Sequence, residues 1–175
     1  MKSGFAAITG RPNAGKSTLM NKIVGEKVAI VSNKPQTTRT KILGVHTEDD
    51  CQLVLIDTPG IHKPHNKLGQ KMEKYIYTAT QDIDVLLYVV DCNIHENEYE
   101  KEKAALAGLR KSNVPVILIV NKIDTVPKLQ LLPVMDKLRE MYDFHGIVPI
   151  SAQKGTNIGE LMKEICECLP EGPQF

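Results

Sequence analysis

The sequence has no excess of charge of either sign, no long apolar run and no leader-like N-terminus. Its 175 residues carry a net charge of +1, so the surface as a whole is not a strong attractor of nucleic acid or anionic membranes. No apolar run approaches the roughly 18 residues that a membrane span requires. The first apolar segment breaks at Thr9 and Gly10, which is too early for a secretory leader. The remaining classes are globular ones, and the length suits one domain with a full core.

Paired metal-binding or disulfide-forming residues are also scarce. None of the four cysteines belongs to a C-x-x-C pair, so we expect reduced, partly buried thiols in a cytosolic protein. These cysteines are Cys51, Cys92, Cys166 and Cys168. His62 and His65 stand close together, but no second cysteine or histidine pair is present to complete a metal site. We interpret both as solvated loop histidines.

The segment 10–17 reads Gly-Arg-Pro-Asn-Ala-Gly-Lys-Ser, which fits G-x-x-x-x-G-K-[ST] at every fixed position. A strand-like apolar stretch precedes it at 5–8, and apolar residues at helical spacing follow it. In this setting the glycines let backbone N–H groups and a helix N-terminus face a phosphate. Lys16 would reach the β- and γ-phosphates, and Ser17 would hold Mg²⁺. The segment predicts a nucleotide-binding loop; a glycine-rich turn that caps an ordinary helix is the alternative.

Apolar strands alternate with helical patterns along the rest of the chain. This alternation indicates an α/β protein with the three-layer P-loop NTPase fold, in which a mostly parallel six-stranded sheet has helices on both faces. The predicted strands cover 5–8, 42–47, 51–56, 85–90, 116–120 and 147–150. The predicted helices cover 19–23, 68–79, 99 to near 113, 131–142 and 158–169.

Local sequence signals lead to three predictions about helix ends. Pro127 and Pro133 predict an irregular first turn, or a start at Pro133, for the helix at 131–142. Gly146 suits the position just after that helix. Asn157 with Glu160 resembles a capping box for the last helix.

Ligands of parallel α/β sheets bind beyond the carboxyl ends of the strands. Four polar segments directly follow apolar strands, so we expect them to meet at one edge of the sheet: 10–17, 57–60, 121–124 and 151–152. Asp57 would bind Mg²⁺ through water, together with Ser17, because magnesium prefers oxygen ligands and keeps some waters. Gly60 has no side chain, so its N–H could approach a γ-phosphate closely.

Asn-Lys-Ile-Asp at 121–124 indicates which base is bound. The carboxylate of Asp124 can accept from both N1–H and the 2-amino group of guanine, whereas adenine offers no such donors. Asn121 would tie the loop to its neighbours, and the Lys122 stem would lie over the base. Ser151-Ala152 would supply a backbone N–H for the guanine carbonyl. The sequence therefore predicts a site for GTP and GDP.

Taken together, the motifs resemble those of the Ras-like GTPase superfamily and, within it, those of the Era family of bacterial ribosome-assembly GTPases. The narrower resemblance covers essentially the whole chain, and Pro-Gln-Thr-Thr-Arg at 35–39 distinguishes it from the Der and MnmE families, which usually carry Gly-Thr-Thr-Arg-Asp. Its motifs lie at 10–18, 35–39, 57–62, 68–69 with Met72, 121–124 and 148–152.

The resemblance implies the remaining site residues. Thr38 would be the threonine whose hydroxyl reaches Mg²⁺ when GTP is bound, with Thr37 as the fallback. Catalysis would involve Asn13, Lys16, Thr38 and Gly60. The nucleotide would be bound by Arg11, Pro12, Asn13, Ala14, Gly15, Lys16, Ser17, Thr18, Asp57, Gly60, Asn121, Lys122, Asp124, Ser151, Ala152 and Gln153.

One position departs from the usual catalytic pattern. Ras-like enzymes place a water-orienting glutamine directly after Asp-x-x-Gly, but Ile61 stands there and can neither accept a proton nor orient water. Asn13 matches the P-loop asparagine of GTPases that use potassium where others use an arginine finger. We therefore hypothesise slow hydrolysis that K⁺ stimulates.

For the whole protein, the resemblance implies a GTP-hydrolysing switch in 30S small-subunit assembly and 16S rRNA maturation. It also implies a cytoplasmic location, with peripheral association at the inner face of the cell membrane. The GTP-binding domain would span 1–169, and 170–175 would begin a linker to a KH domain that this chain does not contain. Two alternatives stay open: a nucleotide-gated module that binds RNA or protein, and a Der- or MnmE-type GTPase of large-subunit assembly or tRNA modification.

Overall fold

The computed structural model describes residues 1–24, 41–48, 50–57, 83–110 and 113–172. Within these ranges the chain forms six strands and four α-helices. The strands are β1 (Lys2–Gly10), β2 (Lys41–Glu48), β3 (Cys51–Asp57), β4 (Val85–Asp91), β5 (Val116–Asn121) and β6 (Gly146–Pro149). The α-helices are α1 (Lys16–Val24), α2 (Tyr99–Ala107), α3 (Lys128–Arg139) and α4 (Ile158–Cys168).

The strands form one sheet in the order β2-β3-β1-β4-β5-β6. All neighbouring strands pair in parallel except β2, which runs antiparallel to β3 as the second arm of a hairpin. Helices connect the parallel strands because a parallel neighbour can be reached only by a crossover. The predicted mostly parallel, six-stranded P-loop NTPase fold is confirmed.

Side chains that alternate along the strands build a separate core on each face of the sheet. In β1, Ala6 and Ile8 pack with residues of α1 and α4, whereas Ala7 packs with residues of α2 and α3. Both cores are dry: Leu19 and Ile165 on one side and Leu106 on the other are at most 1% exposed. In the described part of the chain, helices therefore cover both faces of the sheet, and the carboxyl ends of its strands stay open to a ligand.

The strand register aligns the predicted functional segments at the carboxyl edge. Asp57 at the end of β3 lies beside Ile8, two residues before β1 ends at Gly10. On the other side of β1, Asp91 at the end of β4 lies beside Asn121 at the end of β5. The four polar segments predicted to meet thus start from neighbouring strands.

Of the two predictions for the start of α3, the start at Pro133 is wrong. The helix begins at Lys128 with Pro127 at its N-cap, and Pro133 lies inside it. In the first turn Pro127 O accepts the N–H groups of both Gln130 and Leu131, at 2.9 and 3.3 Å, so a tighter 3₁₀-type bond stands beside the α-helical one. Gly146 does not follow this helix directly, since α3 ends at Arg139 and Gly146 is the first residue of β6.

The predicted capping box of α4 is also wrong. Asn157 adopts left-handed backbone, with φ of 62°, and its side chain makes no capping hydrogen bond to α4. Its Nδ2 instead donates to Pro149 O at 2.9 Å. The amide therefore fixes the turn between β6 and α4 instead of satisfying the first N–H groups of the helix.

The cysteines depart from the expected reduced state. Cys51 at the start of β3 and Cys166 in α4 form a disulfide, with Cα atoms 6.2 Å apart, while Cys92 and Cys168 are free thiols. The pair is separated by 115 positions in the sequence, so no short spacing motif could indicate it. Packing of α4 on the sheet brings the two sulfurs together.

Two further expectations concern helices. None of the helices in the described part of the chain is long and apolar enough to cross a membrane. The helix predicted at 68–79 lies outside the described residues.

Candidate functional site

The phosphate loop connects β1 to α1 through tightly bent backbone. Asn13 and Gly15 have left-handed φ values of 69° and 97°, and Ala14 N–H donates to Arg11 O at 3.2 Å. Ala14 between them is 3% exposed, so the loop is anchored in the core by its one apolar side chain. Lys16 is the first residue of α1. This is the strand–loop–helix arrangement that the motif requires.

Asn121 joins three segments of the site. Its Nδ2 donates to Ala14 O in the phosphate loop at 2.9 Å, and its Oδ1 accepts the N–H of Ala152 at 3.0 Å. The side chain is almost fully buried, with 2% exposed, and both ends of its amide are satisfied. The predicted role of Asn121, to tie its loop to its neighbours, is what the contacts show.

Lys122 also binds the phosphate loop from the end of β5. Its backbone is left-handed, with φ of 68°, and its Nζ donates to Asn13 O at 2.7 Å. The same ammonium lies 3.1 Å from Asp91 Oδ2. The Lys122 side chain therefore extends from the end of β5 to the phosphate loop.

Asp124 presents an oriented carboxylate. Its Oδ1 accepts a hydrogen bond from Ser151 Oγ at 2.8 Å, and Ser151 Oγ in turn accepts the N–H of Lys154 at 3.1 Å. Ser151 is fully buried, whereas Asp124 is exposed. The serine therefore fixes the direction of the carboxylate while leaving it accessible to a base.

Both backbone donors of Ser151-Ala152, expected to supply an N–H for the guanine carbonyl, are already engaged. The N–H of Ala152 donates to Asn121 Oδ1 at 3.0 Å, and that of Ser151 donates to Thr156 O at 3.2 Å. The next N–H along the same turn belongs to Gln153, an exposed residue, and no acceptor within the described part of the chain takes it. The turn can thus still offer a backbone donor, one residue further along than expected.

The residues predicted to hold Mg²⁺ are described only in part. Ser17 and its neighbour Thr18 are exposed in the first turn of α1, where a hydroxyl can reach a cation on a bound phosphate. The backbone of Asp57 ends β3 beside β1, but its carboxylate, Thr38 and Gly60 lie outside the described residues. By residue type, a serine hydroxyl and an aspartate carboxylate both offer the oxygen ligands that Mg²⁺ prefers.

Arg11 was predicted to bind the nucleotide, but its side chain contacts α2 and the turn before it. Arg11 Nη1 donates to Glu98 Oε2 at 2.5 Å, and Arg11 Nε lies 3.8 Å from Glu102 Oε1. Only the backbone of Arg11 belongs to the phosphate loop. The neighbours Pro12 and Asn13 are exposed.

Sequence reasoning missed the contribution of the end of β4. Asp91 Oδ1 accepts the N–H and the side-chain amide of Asn93, at 2.9 and 3.0 Å, and its Oδ2 faces Lys122. Burial disfavours the charged carboxyl, but the hydrogen bonds from Asn93 and the Lys122 ammonium outweigh it and lower the pKa of Asp91. An acidic residue at the end of an apolar strand, as at Asp57, was the available signal.

Comparison with known proteins gives concordant matches. The sequence profile of a family described as 50S ribosome-binding GTPase matches residues 5–122. GTPase Era from Lactobacillus delbrueckii subsp. bulgaricus is 47% identical over 175 residues, an alignment that covers 99% of this chain and 57% of that protein. The chain thus spans well under two thirds of the length of such relatives.

Solved structures show the same likeness. A crystal structure of an Era variant from Aquifex aeolicus bound to GDP and AlF4⁻ is 39% identical, with a TM-score of 0.72, and the match covers 99% of this chain and 59% of that one. A crystal structure of Era with MgGDPNP and nucleotides 1506–1542 of 16S ribosomal RNA is 38% identical, with a TM-score of 0.73. That match covers 100% of this chain and 59% of the other.

Proposed function

Because the chain belongs to the GTPase family described as 50S ribosome-binding GTPase and is similar along its whole length to GTPase Era, we propose that it is the guanine-nucleotide switch of an Era-type GTPase. In this proposal the domain binds GTP with Mg²⁺ and hydrolyses it slowly to GDP and phosphate. Its surface then differs before and after hydrolysis, because loops that contact a γ-phosphate relax when that group leaves.

The observation that carries the proposal is the hydrogen bonding between the segment 121–124, which is proposed to bind the base, and the phosphate loop at 10–17. Asn121 Nδ2 donates to Ala14 O and Lys122 Nζ donates to Asn13 O, so the two predicted half-sites form one unit. Asp124, held by Ser151, is three residues along from Asn121. A guanine nucleotide can span this unit with its base at Asp124 and its phosphates at the loop.

The substitution Asp124→Asn tests the proposed base specificity. Guanine donates from N1–H and its 2-amino group, whereas xanthine carries a carbonyl at position 2, which an amide N–H can bind. We expect the variant to lose GDP affinity by roughly 10³-fold or more, since a site built for hydrogen bonding rejects an unmatched partner strongly, and to bind xanthosine diphosphate better than the unmodified chain does. Fluorescent nucleotide titration measures both affinities.

The matched control is Asp136→Asn, which changes an exposed aspartate on α3 that pairs with Arg139; its GDP affinity should equal that of the unmodified chain. Undiminished GDP binding by the Asp124 variant, or equally tight binding of ADP and GDP by the unmodified chain, would contradict the assignment of the site to guanine.

Ser17, Asp57 and Thr38 are the proposed Mg²⁺ ligands. Mg²⁺ bound by them would neutralise charge on the β- and γ-phosphates. Ser17 lies at the N-terminus of α1, and Asp57 ends the strand next to β1, so both groups start from elements that flank the phosphate loop. Lys16, half-buried at the start of α1, would add a second positive charge at the same phosphates.

Hydrolysis in this proposal proceeds without a catalytic glutamine. Ile61 occupies that position in the sequence, so a monovalent cation near Asn13 would supply the additional positive charge. Asn13 has its backbone oxygen bound by Lys122 while the residue remains exposed, which leaves the side-chain oxygen available to an ion. We expect phosphate release from GTP to be faster in KCl than in NaCl; equal rates in the two salts would contradict the proposal.

The proposed partner of the complete protein is the small ribosomal subunit. This is supported by the similarity to an Era that was crystallised with 16S ribosomal RNA, although the family description names the large subunit. A KH domain beyond the linker at 170–175 would provide most of the RNA contact, in the cytoplasm where subunits assemble. Binding of the full-length protein to isolated small rather than large subunits tests this partner, and preference for large subunits favours the Der-type alternative.

A second candidate function is a nucleotide-gated binding module in which hydrolysis is incidental to output. Phosphate release measured with and without small-subunit particles separates the two candidates. An assembly switch should hydrolyse GTP faster when the particles are present, whereas a gated module should bind particles in the presence of a non-hydrolysable GTP analogue with no change in the rate of hydrolysis.

A further inference from the structure

Arg11 begins the phosphate loop, and its guanidinium group lies against two glutamates. Its Nη1 donates to Glu98 Oε2 at 2.5 Å, and its Nε lies 3.8 Å from Glu102 Oε1. The side chain of Arg11 is 31% exposed, and those of Glu98 and Glu102 are 25% and 2% exposed. The charge of Arg11 is therefore neutralised by the polypeptide, in a partly desolvated setting where a charge-assisted hydrogen bond is strong.

Each of the two glutamates is held by a further hydrogen bond. The second oxygen of Glu98 accepts the N–H of His95 at 3.0 Å. Glu102 Oε2 accepts the hydroxyl of Tyr88 at 2.5 Å, and Tyr88 is completely buried in β4. The guanidinium group is thus attached to rigid parts of the molecule: the turn before α2, α2 itself and the central strand β4.

The directions of the pKa shifts of Glu98 and Glu102 agree with this geometry. A hydrogen bond from the backbone of His95, together with Arg11, lowers the pKa of Glu98. Burial raises the pKa of Glu102, although the Tyr88 hydroxyl and the Arg11 charge oppose that effect. A buried carboxylate without a nearby cation is costly, so the position of Arg11 next to Glu102 is strongly determined.

Side chains from two sides of the molecule hold the phosphate loop in place. On the β5 side, Lys122 and Asn121 bind the carbonyl oxygens of Asn13 and Ala14. On the α2 side, Arg11 donates a hydrogen bond to Glu98 and forms an ion pair with Glu102. Asn13, next to Pro12 in the same loop, has left-handed backbone, a sparsely populated conformation for a non-glycine residue that persists only where its surroundings support it.

We propose that Glu98 and Glu102 are positioning residues for phosphate binding, acting through Arg11 to hold the entrance of the loop in its phosphate-binding conformation. The inference rests on the proposed guanine-nucleotide site and names residues outside the nucleotide motifs that support it. Neither glutamate contacts the nucleotide. They hold the loop so that its N–H groups already face the phosphates when the nucleotide arrives, a preorganisation that raises affinity.

The test compares nucleotide affinities of single and double variants. We expect Glu98→Ala and Arg11→Ala each to raise the dissociation constant (Kd) for GDP about tenfold, the scale of one lost charge-assisted hydrogen bond. The double variant should be no worse than Arg11→Ala alone, because Arg11→Ala already removes the contact with Glu98. Glu102→Gln retains an acceptor for Tyr88 but loses the charge, and should weaken GDP binding about threefold.

A phosphate-dependent readout separates positioning from general damage to the fold. GMP lacks the β-phosphate that the loop binds, so its Kd should change less than twofold in the Glu98 and Arg11 variants, whereas the Kd for GDP rises. Arg11→Lys retains a cation near both glutamates and should restore part of the GDP affinity. The matched control is Glu96→Ala, which removes an exposed pair with Lys137 at 2.6 Å on the same turn as Glu98 and should leave the Kd for GDP unchanged.

Three results would overturn the inference: a Kd for GDP within twofold of the unmodified chain in both single variants, additive effects in the double variant, or equal losses for GMP and GDP. Failure of the proposed function itself is recognised separately, because the unmodified chain would then fail to bind GDP or would bind ADP equally well.

Discussion

Among the described residues, left-handed backbone occurs at two glycines, Gly15 in the phosphate loop and Gly155 in the turn after β6, with φ values of 97° and 77°. Their surroundings differ. A Cβ built on Gly15 would collide with Asn121 Nδ2, whereas one built on Gly155 would meet nothing within 4 Å. Gly15 is therefore required both for its backbone and for the close approach of Asn121, and Gly155 only for its backbone.

The substitutions Gly15→Ala and Gly155→Ala form a matched pair at this scale. Each should lower the free energy of unfolding by about 1–2 kcal/mol, because an alanine is strained at positive φ. Only Gly15→Ala should also displace Asn121 from Ala14 O and weaken GDP binding, by at least about tenfold. Urea unfolding and fluorescent GDP titration measure the two effects, and near-normal GDP affinity in Gly15→Ala would show that the Asn121 contact does not support the site.

At the scale of elements, the ends of β4 and β5 are joined by polar contacts. Asp91 pairs with Lys122 across the strand ends at 3.1 Å. Asn93 Nδ2 donates both to Asp91 Oδ1 and to Thr125 Oγ1, and Thr125 Oγ1 donates to Lys122 O at 2.6 Å. These bonds hold the loop at 121–124 to the neighbouring strand end and so stabilise the left-handed conformation of Lys122.

The lowered pKa of Asp91 predicts how acid affects this junction. A carboxyl whose pKa is lower in the folded state contributes stability above its unfolded pKa of about 3.9 and loses it as pH falls through the folded value. We expect Asp91→Asn to lower the free energy of unfolding by about 0.5 kcal/mol at pH 7, with the difference shrinking as pH falls below the unfolded pKa of about 3.9. Urea unfolding across this pH range measures it.

The control for the acid prediction is Asp136→Asn, which removes an exposed pair within α3 and should change stability little at either pH. A stability difference for Asp91→Asn that persists undiminished at acid pH would show that its effect comes from packing and not from the charged carboxyl.

At the scale of the whole molecule, the disulfide connects distant parts of the chain. Cys51 and Cys166 are 115 positions apart in the sequence, and the bond joins α4 to the start of the strand that ends at Asp57. Both cysteines lie against the core between the sheet and the helices α1 and α4. A crosslink over so long a loop restricts the unfolded chain strongly, whatever its effect on the native state.

Reduction is therefore expected to lower the free energy of unfolding by about 4–5 kcal/mol, the chain-entropy value for a loop of this length. Cys51→Ser should produce the same loss without reductant, whereas Cys168→Ser, at a free thiol, should not. Urea unfolding with and without dithiothreitol measures the effect. Titration of all four cysteines as free thiols in the unreduced protein would contradict the bond.

Local patterns predicted the elements well where one pattern extended over a whole strand or helix. The apolar runs ending at Val90 and Val120 became β4 and β5, each only one residue longer than expected. Short-range signals at helix ends failed at Pro133 and Asn157 because long-range contacts decided them: buried Leu131 and Leu138 hold α3 on the sheet, and Pro149 O takes the amide of Asn157.

The sequence by itself determined the class of fold and the phosphate loop and predicted a guanine site, because each of these depends on residues that are neighbours in the chain. Only the tertiary structure decided that Asn121 takes the N–H of Ala152, that Arg11 pairs with Glu98 and that Cys51 meets Cys166. These contacts join positions 31, 87 and 115 residues apart. They exist because the parallel sheet brings strand ends and covering helices together, a proximity that no local spacing encodes.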